Sequence, residues 1–372
     1  MATQTLTTTV APAVTKLAAR GSYSPLEPSG VLDSYERLDL TPVIGTQYRN
    51  VQLPDLLKAD KANELLRELA IIISRRNVVF FKDQKRKLTN DELKTLARKL
   101  GSLSGGPSES GLHIHPTEHR PDEELSPITR SFTQPRRPGR SLLASVGVHS
   151  DVTFEPAPSS FAILNMHTLP AEGGGDTVWY SAYEAYDRLS PHYAEWLEGL
   201  TALHDGNGFH LRAKALGIQV HEGPRGHPKN VGANLQAVHP VIRTNPVTGC
   251  ASPSPAFACE LADKAHLSAG KGLFVNPAFT RKIVELNEDE SQQTLKYLYS
   301  VIIENHDLQV RYRWDLNDVA IWSNTSSFHN VTVDYEGESV REGNRTVAVG
   351  EEPFFDPASK GRREALGLPP WL

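Results

Sequence analysis

The sequence predicts an α+β protein with a mainly β core. Three observations predict it: many short runs of β-branched and aromatic residues bounded by turn residues, helical periodicity in the N-terminal third, and one long amphipathic helix set between strands farther on. A rolled sheet with a metal site at its mouth suits this pattern and the candidate ligands described below.

Residues 1–25 are rich in Thr and Ala, carry Lys16 and Arg20, and contain no acid. They resemble an organelle transit peptide weakly but lack its Arg-rich amphipathic pattern, so a flexible arm is expected, followed by a single domain over 26–372. Leu65, Leu66, Leu69, Ile72 and Ile73 give residues 62–74 one apolar face and predict a helix. Asn77-Val-Val-Phe-Phe81 has the composition of a buried strand. A second helix is expected over 90–100. Residues 102–143, dense in Gly, Pro, Ser and charge, form a long loop that is either a lid over a site or disordered. Phe161–Met166 and Thr177–Tyr180 read as strands around the turn Gly173-Gly-Gly-Asp176, and Ser181 with Glu184 offers a capping box to the next helix. Pro191 and Trp196 mark a further short helix. Residues 206–232 and 246–272 read as irregular insertions, the second holding Cys250 and Cys259. Asn287 caps the clearest helix, whose first turn is Glu288-Asp-Glu290 and whose apolar face is Leu295, Leu298, Tyr299, Ile302 and Ile303. Strands are expected over 309–314, 318–322 and 345–349.

Composition excludes several classes of function. With 372 residues, 39% hydrophobic and 22% charged, the chain is an ordinary globular protein with room for a large core. The net charge is −5 and the longest basic run is Lys85-Arg-Lys87, so nucleic acid is not an expected partner. No apolar stretch approaches the roughly 20 residues that span a bilayer, so no membrane association is expected either. Two cysteines provide no disulfide framework and suit a reducing, cytoplasmic setting. Nothing in the pattern fixes the oligomeric state, and a homo-oligomer is allowed.

His149-Ser-Asp151, answered far along the chain by His329, carries the chemistry. Two imidazoles and one carboxylate make the facial triad of a non-haem Fe(II) site, leaving the opposite face of the octahedron for other ligands and O2. The flanking Val146-Gly-Val148 and Val152-Thr-Phe154 predict that the pair is borne on a strand, with both side chains on one side. The same donors suit a hydrolytic zinc. A lone His-x-Asp is also a common hydrogen-bonded loop pair. His204-Asp205 is read as strand-end hydrogen bonding, His210, His221 and His227 as surface residues, and the triple glycine as a turn lacking the helix start of a phosphate loop.

Five blocks then carry a resemblance: His149-Ser-Asp-Val-Thr-Phe154, Gly174-Gly-Asp-Thr-Val-Trp179, His239-Pro-Val-Ile-Arg243, Leu273-Phe-Val-Asn276 and Asn317-Asp-Val-Ala-Ile-Trp-Ser-Asn324. Together, over about residues 77–355, they resemble the taurine dioxygenase (TauD/TfdA) family of Fe(II)/2-oxoglutarate oxygenases, in its fungal sulfonate-dioxygenase-like branch. The resemblance implies a double-stranded β-helix, a cupin-like jelly roll with flanking helices. It implies Fe(II), 2-oxoglutarate and O2 as cofactor and cosubstrates, with His149, Asp151 and His329 as iron ligands. It assigns the remote carboxylate of 2-oxoglutarate to Arg341, whose planar guanidinium matches a carboxylate, and to Thr177.

For the substrate, the resemblance points to Arg345 and His115 as oxyanion contacts; Val152, Phe209 and Phe274 are candidates for an apolar wall, though core packing explains each equally well. Glu118 and Ser145 depart from the family's tyrosine and asparagine. A carboxylate beside the pocket disfavours a second anion and favours an ammonium group. The expected partner is therefore a small anionic or zwitterionic molecule, taurine- or alkylsulfonate-like. The alternative is oxidative tailoring of a small amino acid such as L-valine by hydroxylation, desaturation or aziridine-type ring closure. A catalytically dead, ligand-binding jelly roll is the competitor from another class.

Overall fold

The computed structural model describes residues 25–117, 121–131, 143–248, 270–332, 334–335 and 340–371. Glu118, both cysteines and most of the 246–272 segment lie outside the described residues.

The largest sheet has seven strands in the order Arg37–Asp39, Thr46–Arg49, Val78–Lys82, Val319–Ser323, Ser159–Thr168, Val340–Val349, Ser126–Ser131. Only the pairing of Thr46–Arg49 with Val78–Lys82 is parallel. Alternation decides what each face touches. Val78, Phe80, Ala162, Leu164, Met166, Ala320, Trp322 and Val347 point inward to one core. Val79, Phe81, Phe161, Ile163, Val319, Ile321 and Ala348 point outward, under the helices Leu53–Lys58, Ala62–Arg76 and Asn90–Leu103. A strand buried on both faces reads as a continuous apolar run, which is why 77–81 is so plain in the sequence.

A smaller sheet, Gln309–Tyr312, Thr177–Ser181 and Ser327–Val331, closes over the inner face and adds Trp179, Val310 and Tyr312 to the same core. Phe80 from the large sheet stacks on Tyr312 from the small one with ring centroids 3.9 Å apart. Two sheets sharing one core in this way form the expected jelly roll. A third sheet, Thr280–Ile283, Thr201–Asp205 and Gln236–Pro240, and the pair Lys271–Leu273 with Ile242–Thr244 extend it. The helix Glu288–Ile303 packs behind the small sheet with Leu295, Leu298 and Ile302 buried, its capping box between Asn287 and Glu290 complete.

Several expectations need correction. The helix after Ser181 has half a capping box: Ser181 accepts from the Glu184 N–H, but the Glu184 carboxylate is taken by Arg362. Residues 206–232 are not wholly irregular, because Gly208–Leu216 is a helix; it buries only Ala213 and leaves Leu211 and Leu216 exposed, so it has no apolar stripe to betray it. His227 is buried rather than a surface residue. The 102–143 stretch is not all loop, since Ser126–Ser131 pairs with Val340–Val349 and the His113 N–H donates to Val347 O. The final strand begins at Val340 rather than at Arg345.

Candidate active site

His149 and His329 are backbone partners before they are anything else. Each donates its N–H to the other's carbonyl, at 3.1 Å and 2.7 Å, in an antiparallel bridge. Directly opposed residues on such a bridge set their side chains side by side, and the two imidazole centroids stand 4.4 Å apart. His329 is carried by the strand Ser327–Val331, whereas His149 follows the short 3-10 turn Ala144–Gly147. The expectation that His149 and Asp151 share an extended strand is therefore wrong. After the bridge the chain turns, with Val152 held at φ +51°, a conformation a β-branched residue rarely adopts. That turn, rather than strand alternation, delivers Asp151.

One ligand atom from each of His149, Asp151 and His329 falls within 4.8 Å of the others. Asp151 Oδ1 is 3.7 Å from His149 Nε2, and Oδ2 is 4.0 Å from His329 Nε2. His149 Nδ1 donates to Gly147 O at 2.8 Å, which fixes the tautomer that leaves Nε2 bare. Trp322 and Trp179 flank the His329 ring. Burial and the neighbouring His149 push its pKa down to about 3, so the imidazole is neutral, as a ligand must be. Burial opposes ionisation of Asp151, but the Arg345 guanidinium outweighs it and holds the carboxyl well below the usual range. A first-row divalent ion binds such nitrogens and oxygens at about 2.0–2.2 Å. The donors fit Fe(II).

Arg341 and Arg345 lie on the inner face of Val340–Val349, the face that also carries Val347 into the core. Arg341 is 2% exposed; its Nε donates to Gly175 O at 2.7 Å and its Nη2 to Thr177 Oγ1 at 3.2 Å. Thr177 Oγ1 also accepts from Trp314 Nε1 at 3.1 Å. With both acceptor sites used, its hydroxyl proton is free to donate. Gly175 is required here: a Cβ at this residue, whose φ is +70°, would lie 2.6 Å from Arg341 Cδ. Arg345 Nη1 donates to Asp151 Oδ1 at 2.6 Å, while its Nε is buried without a hydrogen-bond partner.

His115 accepts at Nδ1 from the Thr117 N–H at 3.2 Å and meets Phe209 edge-on, centroids 4.7 Å apart. Burial, then Arg345, holds its pKa well below the ordinary value. Phe209 and Val152 join one apolar cluster with Phe154 and Phe279. Phe274 does not belong to this wall. It lies under the Arg243 guanidinium and against His204 and His239, in the interior. The aromatic that reaches the site is Phe279, which stands edge-on to His149 at 5.8 Å and packs against Phe154 and Phe209. It lies three residues beyond Leu273-Phe-Val-Asn276, so reading that block slightly further finds it. Ser145 lines an open groove of about 720 Å³ with Thr280, Arg281 and residues of the Glu288–Ile303 helix, and makes no hydrogen bond to the triad.

Behind the site, His204 Nδ1 lies 2.9 Å from Thr153 Oγ1, the hydrogen bonding expected of it. Two further groups were given no role in the sequence reading. His239 Nε2 donates to the carbonyls of Thr153 and Glu155, at 2.9 Å and 3.0 Å. Glu155 is buried with Arg225, which donates from Nη2 at 2.9 Å, and with His113 at 3.2 Å. A buried carboxylate is tolerated only when paired in this way.

Residues 36–347 match the family model "Taurine catabolism dioxygenase TauD, TfdA family". The chain belongs to this family. The TauD/TfdA protein is 40% identical to an alpha-ketoglutarate-dependent dioxygenase, btcD, of Neocamarosporium betae, over 92% of this chain and 98% of that one. It is 29% identical to the alpha-ketoglutarate-dependent sulfonate dioxygenase of Saccharomyces cerevisiae, over 91% and 73% of the two chains. Its fold superposes on a taurine dioxygenase from Burkholderia xenovorans with a TM-score of 0.62 at 22% identity, covering 90% of this chain and all of that one. This TauD/TfdA protein is an alpha-ketoglutarate-dependent dioxygenase, an oxidoreductase of the kind that uses Fe(II), 2-oxoglutarate and O2. Among the described residues no helix is long and apolar enough to cross a membrane.

Proposed function

We propose that this dioxygenase oxidises a C–H bond of a small anionic or zwitterionic substrate, alkylsulfonate-like, within a single domain over 26–372. His149, Asp151 and His329 hold Fe(II), Arg341 and Thr177 take the remote carboxylate of 2-oxoglutarate, and Arg345 with His115 receives the anionic group of the substrate. The observation that carries this reading is Arg345, a guanidinium beside the triad with one buried donor unused. A polar group left bare in a buried setting is costly, and a substrate oxyanion satisfies it. The sulfonate dioxygenase name of the yeast relative supports the same chemistry.

When bound, Fe(II) would activate O2, which is the oxidant, while 2-oxoglutarate would give up two electrons on decarboxylation to succinate and CO2. The chain's own contribution is placement. Arg341 and Thr177 orient the cosubstrate by charge-assisted hydrogen bonds. Val152, Phe154, Phe209 and Phe279 exclude water from the reacting C–H bond. Neutral His115, whose Nδ1 accepts from the Thr117 N–H, donates one hydrogen bond from Nε2 without adding charge.

Succinate formation with anaerobically reconstituted enzyme, measured across taurine, longer alkylsulfonates and L-valine, tests the assignment. Sulfite release with a sulfonate is the expected result. Succinate formed only with amino acids moves the enzyme to oxidative tailoring, and no substrate-dependent succinate with any small anion overturns the reading.

A further inference from the structure

We propose that Asn324 is a positioning residue that fixes which oxygen of Asp151 is given to the metal. The inference rests on the reading of the triad as a metal site.

Asn324 follows the strand Val319–Ser323 and is 1% exposed. Its Oδ1 accepts from the main-chain N–H of Asp151 at 3.1 Å and from Trp322 Nε1 at 3.0 Å, and the Ser150 hydroxyl lies 3.4 Å away. The first two groups are donors only. They therefore fix the orientation of the amide, which the positions of its heavy atoms alone would leave open. With the oxygen end so assigned, Nδ2 faces Asp151 Oδ2 at 3.1 Å and Ser159 Oγ at 2.7 Å. The Asn324 main chain is tied in the same place, its N–H donating to Ser160 O and its carbonyl accepting from Ser150 Oγ at 2.7 Å.

One side chain thus grips Asp151 twice, by its backbone and by one carboxylate oxygen. The amide end that meets the carboxylate has only donors to give. Oδ2, 4.0 Å from His329 Nε2, is engaged by the amide, whereas Oδ1, 3.7 Å from His149 Nε2, is met by Arg345 Nη1 and not by Asn324. A carboxylate held in this way offers a cation one oxygen in a fixed direction, so a bidentate mode that would occupy a further coordination position is disfavoured. Hydrogen bonds to metal ligands from surrounding residues commonly set metal affinity by 10–100-fold.

Asn324→Asp tests this with little change of shape. The new oxygen still accepts from Asp151 N–H and Trp322 Nε1, but the other end becomes an acceptor against Asp151 Oδ2, and the carboxylate is pushed from its position. Mn(II) affinity by equilibrium dialysis, with no turnover involved, is expected to fall about 10–100-fold. The visible band of the anaerobic Fe(II)·2-oxoglutarate complex is expected to shift. The melting temperature of metal-free protein falls in either case, because the new carboxylate is buried against Asp151, so the Mn(II) affinity of the folded fraction decides: a merely structural role leaves it alone. Folded Asn324→Asp with wild-type Mn(II) affinity overturns the inference, whereas wild-type protein that binds no Mn(II) overturns the metal reading itself. A second measurement needs no variant: in wild-type protein labelled at asparagine nitrogen, the Asn324 side-chain amide signals are expected to shift on Zn(II) addition, and their constancy at saturating Zn(II) counts equally against it.

Discussion

Arg345 donates to Asp151 Oδ1 at 2.6 Å, so the guanidinium assigned to the substrate also touches the carboxylate assigned to the metal. Arg345→Ala removes both contacts. Substrate KM is expected to rise about 100-fold, on the order of 3 kcal/mol for truncating a desolvated charge pair, while the KM for 2-oxoglutarate changes little. Arg345→Lys keeps the charge but loses the fork and falls between the two. The same variant moves a titration. Asp151 has a depressed folded pKa, so its stabilising contribution is present above the ordinary carboxyl value of about 3.9 and is lost as pH falls through the folded value. Without Arg345, burial is less opposed, and acid unfolding of metal-free protein is expected to begin at higher pH. An unchanged unfolding midpoint counts against this account.

Gly175 gives the cosubstrate arm an independent test. Its missing side chain is where Arg341 passes, so Gly175→Ala displaces the arginine without removing it. Both Gly175→Ala and Arg341→Ala are expected to raise the KM for 2-oxoglutarate by about 10–100-fold, the loss of one or two charge-assisted hydrogen bonds. Steady-state kinetics with varied 2-oxoglutarate at saturating substrate provide the measurement, and an unaltered KM in both variants excludes Arg341 from that role.

Phe279 and Phe274 separate site from core. Phe279→Ala opens the wall beside His149 and is expected to raise substrate KM and to release succinate without matching product. Phe274→Ala leaves a cavity under Arg243 and costs about 3–5 kcal/mol of stability, read by urea unfolding. The opposite pattern restores Phe274 to the pocket.

His239 predicts a pH dependence of stability. Burial, then Arg243, pushes its pKa down to about 4, below the unfolded value of about 6.5. Below pH 6.5 the unfolded chain takes a proton that the folded chain refuses, so stability falls from pH 6.5 towards pH 4, by at most about 1.4 kcal/mol per pH unit from this group. Glutamine at this position still offers an N–H to the Thr153 and Glu155 carbonyls but does not titrate. His239→Gln is expected to flatten the profile of unfolding free energy between pH 7 and pH 5. An equally steep profile removes His239 as a cause.

Much of this was legible in the sequence, for identifiable reasons. Strands buried on both faces leave unbroken apolar runs, and Asn287 with Glu290 writes a helix start in four residues. The triad could be proposed because the blocks around His149 and Asn317–Asn324 resemble those of the family; His-x-Asp by itself is also a common hydrogen-bonded loop pair. The local backbone was not legible: the turn at Val152 looks like a strand, since Val-Thr-Phe has strand composition whatever its φ. Phe274 and Phe279 are equally aromatic, and only the third dimension tells which one faces His149. Asn324 carried no signal beyond its motif, because its importance lies in two hydrogen bonds to a residue distant in the chain. Pro127 and a polar neighbourhood hid Ser126–Ser131, an edge strand, where proline is tolerated.

The even spacing of Arg341 and Arg345 along one strand makes that strand a caliper. Four residues of extended chain separate the two guanidinium roots by about 13 Å, and Gly343 between them is pressed so closely by Asn165 O and Met166 Sδ that no side chain fits there. On the proposed assignment, cosubstrate and substrate headgroup share this fixed gauge. Inserting one residue between the two arginines would turn Arg345 to the helix side of the sheet and leave the gauge with a single jaw.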